Sequence, residues 1–550
     1  MVWGILEDRQ MDHVPGTVLL ADVSNIQREY QSIPRELLKH GSGKNTHTIL
    51  VPQPSDSPND PLNWPTWRKD LILAIVGLSA AVVGAYGPML SPGFVEIAAD
   101  LDITVSTLSQ ATAWVILLIG LSLFIFNPIA KKIGRRPVYA ISSIIMLTGS
   151  VWGAVSKSYA SFVGSRIYSG IGMAPYEILV QCTIADMYFV HERATRIAIW
   201  NMFLLCGISG GALVAGYIIE DQGWKWTLVW CGILFGILLP LVIFFVPETA
   251  YRRQSYEERL MAVIACDPNK GETQEKTEGG VEHRESSPAM PEIGIRMEPK
   301  DSFLRSLRFY TGVYAKTPLW KIFLRPMVVF WYPAVLWAFL LYGVTLTWIV
   351  VFSVVNAVIF TAPPYKFSVS QTGLISLSPF LLSLIAEIIS GPMNDWICVW
   401  LAKKNRGIYE PEFRLPLIAI SFLLGVAGFF GFGATVHHET HWSGPVLCFG
   451  LANMSLAFSN ASVFGYVIDA HKELSEEAFV AINARNFLTF GLTYFVNDWL
   501  ARDGVLVVFN ILGAVFVIVN ALTIPLWVFG KRIRGYIARN EALRRFMHED

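Results

Sequence analysis

The chain has 550 residues, of which 53% are hydrophobic, 13% aromatic and only 16% charged, with a mean hydropathy of +0.45. Lys+Arg and Asp+Glu are both 43, so the formal net charge is zero, which excludes a nucleic-acid-binding chain working through a global basic field. So apolar a composition also excludes disorder over most of the length.

In chain order, residues 1–69 read as a disordered cytoplasmic tail, rich in Pro52, Pro54, Asp56, Pro58, Asp60, Pro61 and Pro65. They lack the apolar core of about 7–15 residues that marks a cleavable signal peptide. A bilayer core about 30 Å thick needs about 20 mostly apolar residues in a helix. Twelve such stretches follow. Six lie near 71–92, 107–126, 137–156, 160–182, 197–219 and 227–246. Six more lie near 328–358, 370–391, 415–435, 445–469, 484–501 and 505–529. The expected fold class is an all-α membrane protein with twelve transmembrane helices in two six-helix halves, residues 70–250 and 326–530. Between them, residues 251–325 form a polar cytoplasmic linker. Its end, with Phe303, Leu304, Leu307, Phe309 and Tyr310 beside Arg305 and Arg308, reads as an amphipathic helix. Residues 531–550 form a basic cytoplasmic tail.

Orientation follows from the short loops. With the N-terminus inside, the inner loops hold Lys131, Lys132, Arg135, Arg136, Arg193, Arg196, Lys403, Lys404, Arg406, Arg414 and Lys472. The outer loops hold Lys157, Lys225, Lys366 and Arg502. That bias places both termini in the cytoplasm. The sequons at Asn453 and Asn460 sit inside the tenth span and are not glycosylation acceptors. The six cysteines fall in no CxxC or His-adjacent spacing, so neither a disulfide framework nor a metal site is indicated. No GxxxxGK[ST] phosphate loop supports a primary pump, and no triad-like grouping supports an enzyme. The outer His437, His438 and His441 have no evident fourth partner, and no cofactor is expected.

A layout of six plus six spans with a central linker is that of two-halved secondary transporters, with the substrate site between the halves near the midplane, although layout alone leaves a receptor or a channel open. The halves echo each other. Asn127-Pro-Ile-Ala-Lys-Lys-Ile-Gly-Arg-Arg-Pro137, with Lys131, Gly134, Arg135 and Arg136, follows span two. Gly391-Pro-Met-Asn-Asp-Trp-Ile397, with Gly391 and Asp395, follows span eight. Each reads as a tight cytoplasmic turn followed by basic charge.

On these motifs the chain resembles a major facilitator superfamily transporter of the fungal twelve-span drug:proton-antiporter type, near the histidinol- and polyamine-transporter-like branch. Asp60-Pro-Leu-Asn-Trp-Pro-Thr-Trp-Arg-Lys69, Arg166-x-x-Ser-Gly170, Val246-Pro-Glu-Thr249 and Asn405-Arg-Gly-Ile-Tyr-Glu-Pro-Glu412 carry the likeness further, over about 70–530. The resemblance implies a proton-coupled carrier in the plasma or vacuolar membrane, working as a monomer without nucleic acid. Its partners would be a small organic solute, protons and the lipid bilayer. It also implies that spans one, four, seven and ten line the cavity, while three, six, nine and twelve face lipid. The sequence departs from the family pattern at two places. Asn127 and Lys131 stand where the first inner loop has Gly and Asp, which shifts the expected weight of gating to Gly391 and Asp395. In span five, Ala212 and Ala215 replace a proline and a glycine of the antiporter motif, while Gly207, Gly211 and Gly216 keep the small-residue spacing that packs helices.

Charges left inside a membrane usually face a cavity or a partner. Those noted are Arg166 and Glu177 in span four, Glu387 in span eight, and Asp498, read as interfacial. Arg166 and Glu177 are eleven residues apart, within about 20° of one helix face. Glu177 and Glu387 suit proton loading; the competing reading makes them helix-end residues bonded to neighbouring loops. Trp337 and Tyr342, among the aromatics of span seven, offer faces to flat or cationic molecules, or else simply pack. Asn453 and Asn460, seven apart in span ten, share a face and suit either substrate or interhelical hydrogen bonds. The expected activity is proton-driven export of a hydrophobic or cationic compound such as a secondary metabolite or drug. The alternatives are proton-driven uptake of an organic cation or polyamine, and a non-transporting nutrient sensor.

Overall fold

The computed structural model describes residues 4–8, 10–11, 14–19, 54–55, 57–251, 301–302, 305, 307–310, 312–314, 317–471 and 474–540. Lys472 and most of the linker lie outside these. The first half comprises α1 (Thr66–Tyr86), α2 (Val105–Ile133), α3 (Arg136–Val155), α4 (Tyr159–Met187), α5 (Val190–Gln222) and α6 (Trp224–Phe245). The second comprises α7 (Pro333–Thr361), α8 (Leu377–Lys404), α9 (Ile418–His437) and α10 (Ser443–Ala470). It ends with the run Arg485–Ala521, which reverses at Gly504 (φ 79°, ψ 163°) and so makes two spans, α11 (485–503) and α12 (505–521). Among the described residues, ten continuous helical runs are long and apolar enough to cross a bilayer. The last of these contains both α11 and α12. Adding α4, which carries Arg166, Glu177 and Asp186, gives twelve.

Local sequence sets the boundaries. The Oδ atoms of Asp60 accept from the Ser55 and Leu62 amides (2.9 and 3.0 Å), and Lys69 Nζ donates to the Leu62 carbonyl (2.9 Å). The Asp60–Lys69 motif is thereby a folded lead-in to α1. Thr104 and Ser158 cap the starts of α2 and α4 through their side chains. α2 stops at Gly134, whose φ of 114° an L side chain rarely adopts.

Within the halves, α1 packs on α5, α2 on α4, α3 on α6, and α8 and α9 on α10. A Cβ on Gly207 would lie 2.7 Å from Ala81 Cα, and one on Gly211 2.7 Å from Ala85 Cα, so these two glycines let α5 touch the α1 backbone. Exposed apolar side chains such as Ile141 and Val151 of α3, Trp226 and Ile237 of α6, Leu423 of α9 and Ile518 of α12 face outward, as the resemblance implies for those four spans. Two seams join the halves: α2 against α11, through Trp114 with Phe490 and Tyr494, and α5 against α8 with the short helix Val369–Leu374.

Two sequence expectations change. The stretches after spans two and eight are not turns: Asn127 to Ile133 continues α2 and Gly391 to Ile397 lies inside α8, with the turn falling at Asn405–Gly407. Pro128 and Pro392 are accommodated within those helices. A helix with an apolar side formed by Ile322, Pro326 and Val329 runs over Leu319–Val329, while the stretch 303–310 read as amphipathic lies partly outside the described residues. The Arg308 carbonyl accepts from Arg136 Nη1 (3.1 Å) while the Phe309 ring lies 5.4 Å from that guanidinium; Phe303 and Leu304 are outside the described residues. Span seven therefore starts at Pro333, not near 328.

The stretch read as a solvated N-terminal tail has structure where it is described. β1 (Val18–Leu19) pairs antiparallel with β2 (Ile408–Tyr409). Ile5 is buried against Cys398, Leu401 and Phe413, Asp8 pairs with Arg539 (2.5 Å), and Thr17 donates to Glu410 (2.7 Å). Apolar Ile5, Val14, Val18 and Leu19 among the polar residues were the legible signal. The expected basic tail begins as helix, Thr523–Arg539.

Candidate functional site

Mid-chain in each half, charged side chains meet between the halves. Glu177 of α4 faces Arg485 at the start of α11, with Oε2 3.6 Å from Nη2. The guanidinium lies 5.1 Å from the ring of Tyr342 on α7, and its Nη1 donates to Asn486 Oδ1 (2.9 Å). Gly343, beside Tyr342, leaves the room: a Cβ there would sit 3.1 Å from Arg485 Cβ. On the other seam Asn201 of α5 donates to Glu387 of α8 (2.7 Å). Glu387 is the eleventh residue of the 28 in α8, near the middle of the span, because that helix begins later and runs further than the sequence implied. Each carboxylate therefore touches the opposite half, one through a cation and one through a neutral amide.

Several polar atoms beside this cluster are buried with no hydrogen-bond partner: Glu177 Oε2, Gln181 Oε1 one turn along α4, Arg485 Nε and Asn486 Nδ2. Buried polar groups are ordinarily satisfied. A patch of unsatisfied donors and acceptors at a seam between two domains is where a polar ligand or water gains most.

The halves are also linked at both ends. On the face carrying the most Lys and Arg, here the basic face, Lys131 Nζ contacts Glu477 (2.7 Å) and Glu476 (3.1 Å) of the helix Ser475–Ile482. Arg135 pairs with Asp186 of its own half (3.0 Å) and reaches Glu476 (3.4 Å). Glu248, after α6, holds the loop in place by accepting from the Arg135 and Arg136 amides (2.9 and 3.2 Å) and sits against Gly134. On the opposite face Glu220, ending α5, accepts from the Ser370 amide (2.6 Å) and Ser368 hydroxyl (3.0 Å). Gly216 lets α5 approach there, since its Cβ would lie 2.9 Å from Gly373 Cα. A cavity near this contact, lined by Ser91, Ala212, Asn356 and Phe449, has ≈ 20 Å³, room for about one water. These contacts tie the halves together toward both faces.

The remaining expected site residues are placed as follows. Arg166 is 1% exposed and committed to α1: it donates to the Tyr86 and Gly87 carbonyls (3.0 and 3.2 Å) and lies 4.6 Å from the Tyr86 ring. It serves the end of a helix in its own half and makes no ion pair with Glu177. Trp337 donates to Thr523 (3.1 Å) and meets Tyr466 edge-on, so it packs. Asn453 bonds back to the Phe449 carbonyl (3.0 Å), whereas Asn460 Oδ1 is buried without a donor. Nothing lies within 4 Å of a Cβ on Gly391, and Asp395 pairs with Arg414 (3.5 Å) inside the second half. Sequence reading missed Arg485, Glu476, Glu477 and Asn201. Arg485 stood one residue inside the stretch 484–501 and belonged in the count of intramembrane charge; nothing local marks Asn201, whose role depends on the seam.

Two six-helix halves meeting around buried ionisable groups, and linked toward both faces, define a membrane carrier protein. The family model described as Major Facilitator Superfamily matches residues 72–494, and the chain belongs to that superfamily of transporters. Among its relatives, an uncharacterised MFS-type transporter of Schizosaccharomyces pombe is 26% identical over 563 residues, covering 97% of this chain and 94% of that one. The efflux pump radE of Floropilus chiversii is 24% identical over 487 residues, covering 88% and 84%. Among solved structures, the proton:xylose symporter XylE superposes with a TM-score of 0.58 at 13% identity, covering 86% of this chain and 100% of that one, a likeness of fold.

Proposed function

We propose that this transporter is a proton-coupled exporter of a small hydrophobic or cationic organic compound, working by alternating access as a monomer in the plasma membrane with its basic face in the cytoplasm. The observation carrying the reading is the cross-half pair of carboxylates with unlike partners. Glu177 has a cation to balance it, and Glu387 has the neutral amide of Asn201. A carboxylate without a counter-charge is the one suited to take up and give back a proton. Glu387 is therefore the proton-loading group, and the Glu177–Arg485 pair is the charge balance that opens when solute enters. Lys131 and Arg135 with Glu476 and Glu477 form the inner gate; Glu220 with Ser368 and Ser370 forms the outer one. Export is favoured by the relative named as an efflux pump. Uptake is the second reading, favoured by Ala212 and Ala215 in place of the antiporter proline and glycine.

The test is proton movement in proteoliposomes holding a pH-sensitive dye, with polyamines, neutral lipophiles and organic acids added under an imposed gradient. Solute-dependent proton movement is expected, and its sign separates antiport from symport. Solute binding without any proton response overturns the coupled-carrier reading in favour of a sensor or uniporter.

A further inference from the structure

On the face opposite the basic one, a cavity of ≈ 510 Å³ opens between the start of α2, the ends of α7, α9 and α11, and the loop after α7. Its size is in the range of about 300–1,000 Å³ typical of small-molecule sites. Val105, Val358, Ile359, Leu500 and Val505 give it an apolar floor. Asp498 and Glu439 supply two carboxylates to its wall, and neither makes an ion pair or hydrogen bond among the described residues. Of the basic side chains here, His437 lines the cavity, Arg502, next to the lining residue Ala501, is neutralised by Asp503 (2.9 Å), and Lys366 is exposed beside Tyr365. Asn497 also lines the cavity, and both its amide atoms are buried with no hydrogen-bond partner.

The backbone adds to the same sign. α7 ends at Thr361, α9 at His437 and α11 before Gly504, so three helix C-termini, each the negative end of a macrodipole, converge on this cavity. Two N-termini line it as well, but that of α2 is capped by Thr104, whose hydroxyl accepts from the Thr107 amide (3.2 Å). Space, apolar floor, unpaired carboxylates and an unsatisfied amide together suit one ligand chemistry, an organic cation with an apolar body.

We infer that this vestibule is a second binding site, separate from the Glu177–Glu387 cluster, that holds an amphiphilic organic cation at the mouth of the transporter opposite the basic face. It deepens the proposed function by selecting the cationic arm of the substrate class, and its orientation toward the outside rests on that reading. Binding here requires no gradient and no opening of the centre between the halves.

The test uses the full chain in lipid nanodiscs and two probes of similar ring system, ethidium as the cation and phenanthridine as the neutral control. Asp498→Asn combined with Glu439→Gln is expected to weaken ethidium binding about fivefold or more while leaving phenanthridine unchanged. The same loss is expected in a Glu387→Gln background, because the site does not use the central carboxylate. Unchanged ethidium affinity in Asp498→Asn/Glu439→Gln overturns the inference, as does ethidium binding that disappears only with Glu177→Gln or Glu387→Gln. Proton-coupled flux that persists in either case leaves the proposed function standing, so the two readings fail separately. Both substituted side chains are exposed, and an unchanged thermal midpoint checks that the fold is intact.

Discussion

The two halves hold their basic-face loops by the same plan with opposite charges. In the first half the junction of α2 and α3 carries the cations, Lys131, Arg135 and Arg136, and the anion Glu248, which accepts from the Arg135 and Arg136 amides, comes from the chain after α6. In the second half the loop carries the anions Glu410 and Glu412, and the cations Lys531 and Arg534 come from the helix after α12. A strap completes each site: the Tyr314 amide donates to the Lys132 carbonyl (3.0 Å) in the first half, and β1 pairs with β2 in the second. The difference lies in exposure to the other half. The first-half cations reach across to Glu476 and Glu477, whereas Glu410, Glu412 and Arg534 pair with one another, buried beneath the N-terminal strap. In the proposed cycle the first site is the one that breaks and remakes contacts, while the second braces its own end of the fold.

That contrast is broken most severely at the second site. Arg534 is 2% exposed and Glu412 0%. Removing one partner of such a pair leaves an uncompensated buried charge and costs about 3–5 kcal/mol. Arg534→Met is expected to lower the thermal midpoint of the purified protein sharply or abolish its accumulation, and joint replacement of Glu410, Glu412 and Arg534 by Gln, Gln and Met is expected to recover part of the loss. A midpoint unchanged by Arg534→Met would mean that the cluster is not structural.

At the cross-half site the expected effect falls on transport as well as on stability. Lys131→Glu is expected to reduce flux by about tenfold and to lower the thermal midpoint, since it sets a third carboxylate beside Glu476 and the buried Glu477. Adding Glu476→Lys and Glu477→Lys is expected to restore flux by exchanging the charges across the seam. If the triple variant is no better than Lys131→Glu, the contact is not a gate.

A smaller effect is expected from the strap. Deleting residues 1–19 removes the Asp8–Arg539 pair, the Thr17–Glu410 bond and the β1–β2 ladder. Faster proteolysis around 405–414 is expected, with transport of the first-half variants unaffected. Retained protection would assign the bracing to Arg534 alone.

A further expected effect appears only below neutral pH. His471 follows α10, stacks near Tyr332 and is pushed down to about 4 by burial and by the neighbouring Arg534. Its folded-state value lies below the ordinary one, so the unfolded chain binds the extra proton. Stability is then flat above about pH 6.5 and falls as pH drops toward 4, by an amount on the order of 3 kcal/mol. His471→Phe is expected to flatten that slope in a pH series of thermal midpoints. An unchanged slope would place the titration elsewhere.

Much of the fold was legible because a bilayer imposes length and polarity on each span, the matched stretches after spans two and eight marked the repeat, and the small residues of span five marked a close helix contact. Helix ends were harder: α2 and α8 run well past the apolar stretch, since a helix does not stop where hydropathy does, and this moved Glu387 to mid-span. The site was legible in part. Glu177, Glu387 and Tyr342 are individually conspicuous as polar groups in apolar runs. Their partners were not, because Arg485 looks interfacial and Asn201 ordinary until two halves distant in sequence are brought together. Arg166 was the reverse case: conspicuous in sequence, yet bound to the end of α1.

The most direct test of the central claim separates exchange from net transport in Glu387→Gln. In proteoliposomes, a transported solute identified from the panel is measured both as equilibrium exchange and as proton-driven accumulation. With Glu387 as the proton-loading group, Glu387→Gln keeps exchange near the wild-type rate and loses gradient-driven accumulation, whereas Glu177→Gln loses both. Accumulation that persists in Glu387→Gln with its proton movement intact would contradict the assignment.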